Sequence, residues 1–151
     1  MTDLNFKRHY DWSEVQIAVI NLKLKMDFDG WIPDIIVGIA NGGVIPATLL
    51  AKKFNIPVAA AAVQLRDGNV LEIDYNTVDL AWHGMKVLIV DDINDTGATL
   101  QWIKNNWGFD PDSWDCGVRT AVIHTKPKSV FNVTYNAEEV SQATWVVYPW
   151  E

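Results

Sequence analysis

The feature that most constrains this chain is the segment Val87-Leu-Ile-Val-Asp-Asp-Ile-Asn-Asp-Thr-Gly-Ala-Thr-Leu100. Four apolar residues in a row, three of them β-branched, read as a strand buried on both faces. The strand ends in two acids, Asp91 and Asp92, and a polar turn over residues 91–97 leads into a helix over residues 98–107. In open α/β sheets ligands sit at the carboxyl ends of strands. A helix start offers unpaired N–H groups and the positive end of the helix dipole. Thr96 and Thr99 add hydroxyl donors, and Gly97 lets backbone approach a ligand closely. Together these make a cradle for one phosphate monoester. Asp91 and Asp92 cannot bind phosphate directly. They can accept from the two hydroxyls of a ribose, or hold a hydrated magnesium ion. A phosphate cradle beside diol-binding acids describes a ribose 5-phosphate site. The competing reading is a solvated acidic loop with a helix cap.

Two other phosphate architectures are excluded. The Gly-x-x-x-x-Gly-Lys-Ser/Thr loop of nucleotide hydrolases is absent. A receiver domain can begin with an apolar strand ending in two acids, but only residues 93–151 follow here, less than a typical domain.

The rest of the chain supplies the scaffold for such a strand. Ser13 with Gln16 reads as a capping box opening an amphipathic helix to about Phe28, with Val15, Ala18, Val19, Leu22 and Met26 inward. Residues 34–39 and 57–65 read as strands, separated by a glycine turn at Asn41-Gly42-Gly43 and a helix over residues 46–54. Gly108 is placed to end the helix after Trp107, and residues 117–124 read as a fourth strand. Shorter strands are expected at residues 130–135 and 145–148. Residues 66–79 are polar and carry the turn signal Asp67-Gly68-Asn69, consistent with a hairpin or a mobile loop. Strand–helix alternation predicts an α/β fold with a central, mostly parallel sheet flanked by helices.

Composition narrows the function. At 151 residues, 49% apolar, the chain suits a single domain with a real core. A net charge of −7 argues against broad nucleic-acid binding, which needs Lys and Arg to displace counterions. No run reaches the roughly 18 apolar residues of a membrane span, and the first residues have no apolar signal core. A single cysteine, Cys116, allows no internal disulfide and suggests a reducing, cytoplasmic setting. Eight tryptophans are expected mostly in the core or in subunit contacts. His9, His83 and His124 show no metal-ligand spacing and are expected to be structural or exposed.

Residues 87–100 closely resemble the phosphoribosyl-pyrophosphate signature of type I phosphoribosyltransferases. Upstream, Val37-Gly-Ile-Ala-Asn-Gly-Gly-Val-Ile-Pro46 resembles the family's pyrophosphate loop. Downstream, Thr125-Lys126-Pro127 and Thr144-Trp-Val-Val-Tyr-Pro-Trp-Glu151 resemble the base-binding parts of its xanthine–guanine and hypoxanthine branch. The resemblance implies transfer of ribose 5-phosphate from phosphoribosyl pyrophosphate to a 6-oxopurine, with magnesium as cofactor held by Asp91 and Asp92. It implies that Asn41, Gly42, Gly43, Asp91, Asp92, Asp95, Thr96, Gly97, Ala98 and Thr99 bind phosphoribosyl pyrophosphate, and that the loop at Asn41 carries a strained or cis peptide. Asp95 becomes the acid/base group near purine N7. Lys126, which can only donate hydrogen bonds, suits a carbonyl at purine position 6 and not the amino group of adenine. Trp145 is expected to stack on the base, with core packing as the alternative, and the Val146 carbonyl to accept from the base edge. A small base-binding hood is expected from residues 126–151 and the N-terminus, and a homodimer or homotetramer from family habit. The chain departs from the family in carrying Asn41 where a basic residue is common, and in lacking a Ser-Tyr pair in residues 66–79. The alternatives are a regulator on the same fold that binds nucleotide or nucleic acid without catalysis, and a transferase for a non-purine acceptor.

Overall fold

The computed structural model describes residues 6–63, 65–66, 69–70 and 75–151. Five parallel strands form the central sheet: β2 (Ile35–Ala40), β3 (Val58–Ala62), β6 (Val87–Asn94), β7 (Val118–Thr125) and β8 (Tyr135–Glu139), in the order β3-β2-β6-β7-β8. Parallel strands need crossovers, and helices supply them. The helices are α1 (Trp12–Asp29), α2 (Val44–Phe54), α3 (Tyr75–Trp82) and α4 (Ala98–Asn106). Two short pairs stand apart: β4 (Leu65–Arg66) with β5 (Asn69–Val70), antiparallel, and β1 (Phe6–His9) with β9 (Thr144–Val147), parallel.

The apolar strands divide their side chains by the period of two that a pleated strand imposes. Ile36, Leu88, Val90, Ala121 and Ile123 face α1 and α2, meeting Val15, Val19, Leu22, Met26 and Leu50. Val37, Ile39, Val87, Ile89, Val118 and Val122 point the other way, against Leu100, Ile103 and Trp107. This two-sided burial is why β2 and β6 read as continuous apolar runs. Strand order reverses between β2 and β6, because β3 lies on one side of that pair and β7 on the other. The crevice at such a switch point lies between the loops that leave the two strands.

Several local expectations are corrected. The cap of α1 is Asp11, whose side chain accepts from the Glu14 amide while Glu14 returns a bond to the Asp11 amide; Ser13 and Gln16 play no such part. β6 runs on through Asp91 and Asp92 to Asn94, since Asp91, Ile93 and Asn94 pair with Val122, His124 and Thr125 of β7. No strand spans residues 130–135. The Val130 amide donates instead to the Thr96 carbonyl, and β8 begins only at Tyr135. The expected mobile loop falls partly on residues 67, 68 and 71–74, which lie outside the described residues. Of its remainder, residues 75–79 belong to α3, whose Val78 joins the apolar cluster that holds Trp107. Trp31 and Trp107 are buried, whereas Trp12, Trp82 and Trp145 are exposed, so tryptophan is less of a core residue here than its number suggests. Among the described residues no helix is long and apolar enough to cross a membrane.

Ile89 is fully buried in the central strand. Ile89→Ala should cost about 2–5 kcal/mol through lost burial and the cavity left behind, read as a lower denaturant midpoint with an unchanged slope.

Candidate functional site

The carboxyl ends of β2 and β6 bring the two sequence motifs together. The glycine loop leaves β2, and the peptide bond from Ala40 to Asn41 is cis, as the resemblance implies. A Cβ built on Gly42 would coincide with the Asp92 carboxylate, and one on Gly43 would collide with the Val90 carbonyl. Only glycine lets the loop lie this close to the end of β6. Asn41 is exposed at the start of this turn.

At the end of β6, residues 91–100 enclose a cavity of about 240 Å³. All six of Asp91, Asp92, Asp95, Thr96, Ala98 and Thr99 line it, with Gly97 at φ +89° starting α4. Gly97 has no side chain to cap that helix; the Ala98 amide donates to Thr96 Oγ1 at 3.2 Å, and the first turn presents the positive end of the helix dipole to the cavity. The left-handed φ favours glycine, and a Cβ there would press on Ser129 Oγ at 2.6 Å and on the Phe131 amide at 2.7 Å.

That crowding reveals a support which the sequence reading missed. Asn94, buried at the end of β6, donates to Thr125 Oγ1 at 3.1 Å and to the Phe131 carbonyl at 2.8 Å, and accepts from Ser129 Oγ at 2.9 Å. With the Val130-to-Thr96 bond, this staples residues 129–131 beneath the cradle. The signal was present as a polar residue at a core position of a strand, but its partners lie 31 to 37 residues away.

A second cavity of about 440 Å³ adjoins the first and shares Ile93 and Asp95 with it. Lys126, Trp145 and Val146 line it, with Gln142, Tyr148 and Glu151. The Lys126 side chain is 10% exposed; its Nζ lies 3.4 Å from Asp95 Oδ1 and donates to the Gln142 carbonyl at 3.4 Å. Trp145 is 60% exposed, which removes core packing as its role, and Lys7 of β1 lies 5.3 Å from its ring centroid. Val146 is buried and pairs with Arg8 across the β1–β9 ladder. The structure thus brings Gly42, Gly43, Asp91, Asp92, Asp95, Thr96, Gly97, Ala98, Thr99, Lys126, Trp145 and Val146 together around the end of β6 and its following loop; among the described residues no contact joins the exposed Asn41 side chain to them. Asp95 stands between a cavity rich in acids and hydroxyls and one walled by an aromatic ring.

Burial raises the pKa of Asp91 well above the usual carboxylate range, reinforced by the adjacent charge of Asp92; burial raises Asp92 as well. A hard divalent cation relieves such a pair. Two carboxylates at an open cavity suit magnesium, which keeps most of its waters, better than an all-protein cage. Among the described residues no cluster of three or more His, Cys, Asp or Glu offers such a cage.

The folded pair holds protons more tightly than the unfolded chain, so its contribution to stability is greatest in acid and is lost as pH rises through the raised folded values. Asp91→Asn should therefore raise the melting temperature at neutral pH in chelator-treated protein. The gain should shrink as pH falls toward the ordinary carboxylate range, as a pH series of thermal melts would read.

Comparison with known proteins agrees with this geometry. Residues 7–151 match the family model of the phosphoribosyl transferase domain. The chain is 28% identical to a xanthine-guanine phosphoribosyltransferase of Roseobacter denitrificans, covering 95% of this chain and 84% of that protein. Among solved structures, a purine phosphoribosyltransferase from Pyrococcus horikoshii superposes with a TM-score of 0.76 at 27% identity, over 96% of this chain and 94% of that one. A hypothetical protein from Neisseria gonorrhoeae with bound ppGpp superposes with a TM-score of 0.76 at 25% identity, over 99% and 92%. With its parallel sheet, its glycine loop and its strand-to-helix cradle, the chain belongs to the type I phosphoribosyltransferase family.

Proposed function

We propose that the protein transfers ribose 5-phosphate from phosphoribosyl pyrophosphate to a 6-oxopurine (guanine, xanthine or hypoxanthine), giving the nucleoside monophosphate and pyrophosphate. The observation that carries this reading is the meeting of two unlike cavities at Asp95. The smaller has the groups a ribose 5-phosphate needs: threonine hydroxyls and helix-start amides for the phosphate, paired carboxylates for the diol. The larger has an exposed indole for a planar base and an ammonium beside it. The names of the Roseobacter and Pyrococcus relatives support a purine acceptor.

In this reading the bond from ribose C1 to pyrophosphate breaks as a purine ring nitrogen bonds to C1, and the nitrogen's proton is released. Positive charge grows on the ribose ring and negative charge on the departing pyrophosphate. Backbone amides of Asn41, Gly42 and Gly43 stabilise the departing charge. Asp91 and Asp92 would hold magnesium, which supplies further charge neutralisation when bound. Asp95 is the acid/base group at the purine, and its contact with Lys126 keeps that ammonium near the carbonyl at position 6. Trp145 stacks on the base and the Val146 carbonyl accepts from its edge. Residues 126–151 with β1 act as the base-binding hood, supported by the β1–β9 ladder that ties the two ends of the chain. An exposed apolar stripe along α1 (Ile17, Ile20, Leu24 and Phe28, the last 93% exposed) supports assembly into a homodimer or homotetramer.

Pyrophosphate release from phosphoribosyl pyrophosphate with magnesium should follow addition of guanine, xanthine or hypoxanthine and not adenine; silence with all four bases refutes the reading. Lys126→Ala should raise KM for the active base about 10- to 100-fold, the worth of one hydrogen bond to a charged group. The KM for phosphoribosyl pyrophosphate should change little. Equal effects on both would argue against Lys126 as the base selector.

A further inference from the structure

Lys126 belongs to the first of two turns that meet beside the larger cavity. β7 ends at Thr125, and residues 126–129 turn so that the Ser129 amide donates to the Lys126 carbonyl at 3.2 Å. β8 ends at Glu139, and residues 141–144 close in the same way, the Thr144 amide donating to the Ser141 carbonyl at 3.1 Å. Both turns are rooted in neighbouring chain. The Lys126 amide donates to the Asn94 carbonyl at 3.1 Å, and the Val140 amide to the Thr125 carbonyl at 3.0 Å.

A four-residue turn closed by its first and last members leaves the amide of its third residue without a partner inside the turn. Lys128 holds that third place. Its amide donates across to the second turn, to Gln142 Oε1 at 3.0 Å. A backbone N–H can only donate, so the Gln142 carboxamide must turn its oxygen to that contact. The main chain of the same residue makes the return contact: the Gln142 carbonyl accepts from Lys126 Nζ at 3.4 Å. Gln142 therefore grips the first turn twice, and a ring of bonds closes across the two turns. Among the described residues the Lys126 ammonium has two acceptors, this carbonyl and Asp95 Oδ1, both at 3.4 Å. A four-carbon stem has many rotamers, and two long contacts select one only if the acceptors themselves stay in place. Lys126 and Gln142 both line the larger cavity.

We propose that Gln142 is a positioning residue for Lys126. Its carboxamide locks the turn of Lys126 against the turn that leads into β9, and this lock holds the ammonium beside Asp95 at the base cavity. Gln142 acts on base recognition through Lys126 and not by touching the base. The kinetic consequence rests on the purine-transfer reading above; the lock between the turns does not. Loss of the lock should free the Lys126 side chain and leave the phosphate cradle in shape, because Asn94 holds Ser129 and Phe131 through bonds that Gln142 does not share.

The test combines spectra of isotope-labelled protein with steady-state kinetics. Gln142→Met keeps the length of the side chain and removes the acceptor, whereas Gln142→Glu keeps an acceptor. The Lys128 amide proton shift should depend weakly on temperature, as a bonded amide does, in the wild-type protein and in Gln142→Glu, and steeply in Gln142→Met. Carbon-13 relaxation should show the Lys126 ε-methylene more mobile in Gln142→Met than in wild type. In that variant KM for hypoxanthine should rise about three- to tenfold, the worth of one net hydrogen bond, with KM for phosphoribosyl pyrophosphate within about twofold. Gln142→Glu should keep KM for hypoxanthine below the Gln142→Met value. In a Lys126→Ala background, Gln142→Met should change KM for hypoxanthine by less than about twofold, since residues that act through one contact are not additive. An equal rise in both backgrounds shows that Gln142 meets the base directly and overturns the proposal. So do a Lys128 amide and a Lys126 side chain that Gln142→Met leaves unmoved. If the wild-type protein turns over no base, the purine-transfer reading falls, and the Lys128 and Lys126 spectra still uphold or overturn the lock.

Discussion

The parallel pairing of β2 with β6 is the constraint on which the rest of this structure depends. Its register sets Gly38 opposite Val90, so the glycine loop that leaves β2 after Ala40 lies beside the paired acids of β6, which runs on to Asn94. Because the sheet order reverses there, the loops diverge and leave a crevice instead of packing over it. One loop is rich in glycine and offers backbone; the other begins with two acids and ends in a helix. Gly42 admits the Asp92 carboxylate to a space that a methyl group would fill. The candidate site is therefore less a collection of residues than the consequence of one strand pair and one missing side chain.

The same pair carries an electrostatic burden. Asp91 and Asp92 are adjacent, partly buried and like-charged, and the fold raises the proton affinity of both. A packed domain accepts such a burden where the charge is useful. The surrounding framework is correspondingly rigid. Asn94 grips residues 125–131 with its side-chain amide, and Val130 is tied back to Thr96. The acids thus sit on a braced strand, and the cost of holding them together is spread over contacts that do not themselves touch a ligand.

Much of this was legible in the residues because it is local. The run Val87–Val90 announces a strand buried on both faces, and the string from Asp91 to Thr99 announces a strand-to-helix cradle, each within one turn or one pleat of its neighbours. The inward face of α1 was read correctly down to Met26 because helical spacing is a local rule. Errors arose where two local signals competed. Asp11 and Ser13 both offer a helix cap, and the choice fell to the residue whose third neighbour is Glu14. Polar residues after Val90 suggested a turn, but pairing with β7 holds them extended to Asn94. The apolar residues Val130 and Phe131 suggested a strand, but they are drawn under the cradle instead.

By itself the sequence determined the alternation of strands and helices, the chemistry of the strand-to-helix cradle and the proximity of acids to hydroxyls, since all of these act between residues close along the chain. Tertiary structure alone decided that β1 lies beside β9 and that Lys126 meets Asp95. Periodicity and propensity report only the free energy of neighbours. Contacts of long separation depend on which faces remain to be buried once every helix has found its side of the sheet. The half of the site around Lys126 and Trp145 is built from such contacts and becomes visible only in three dimensions.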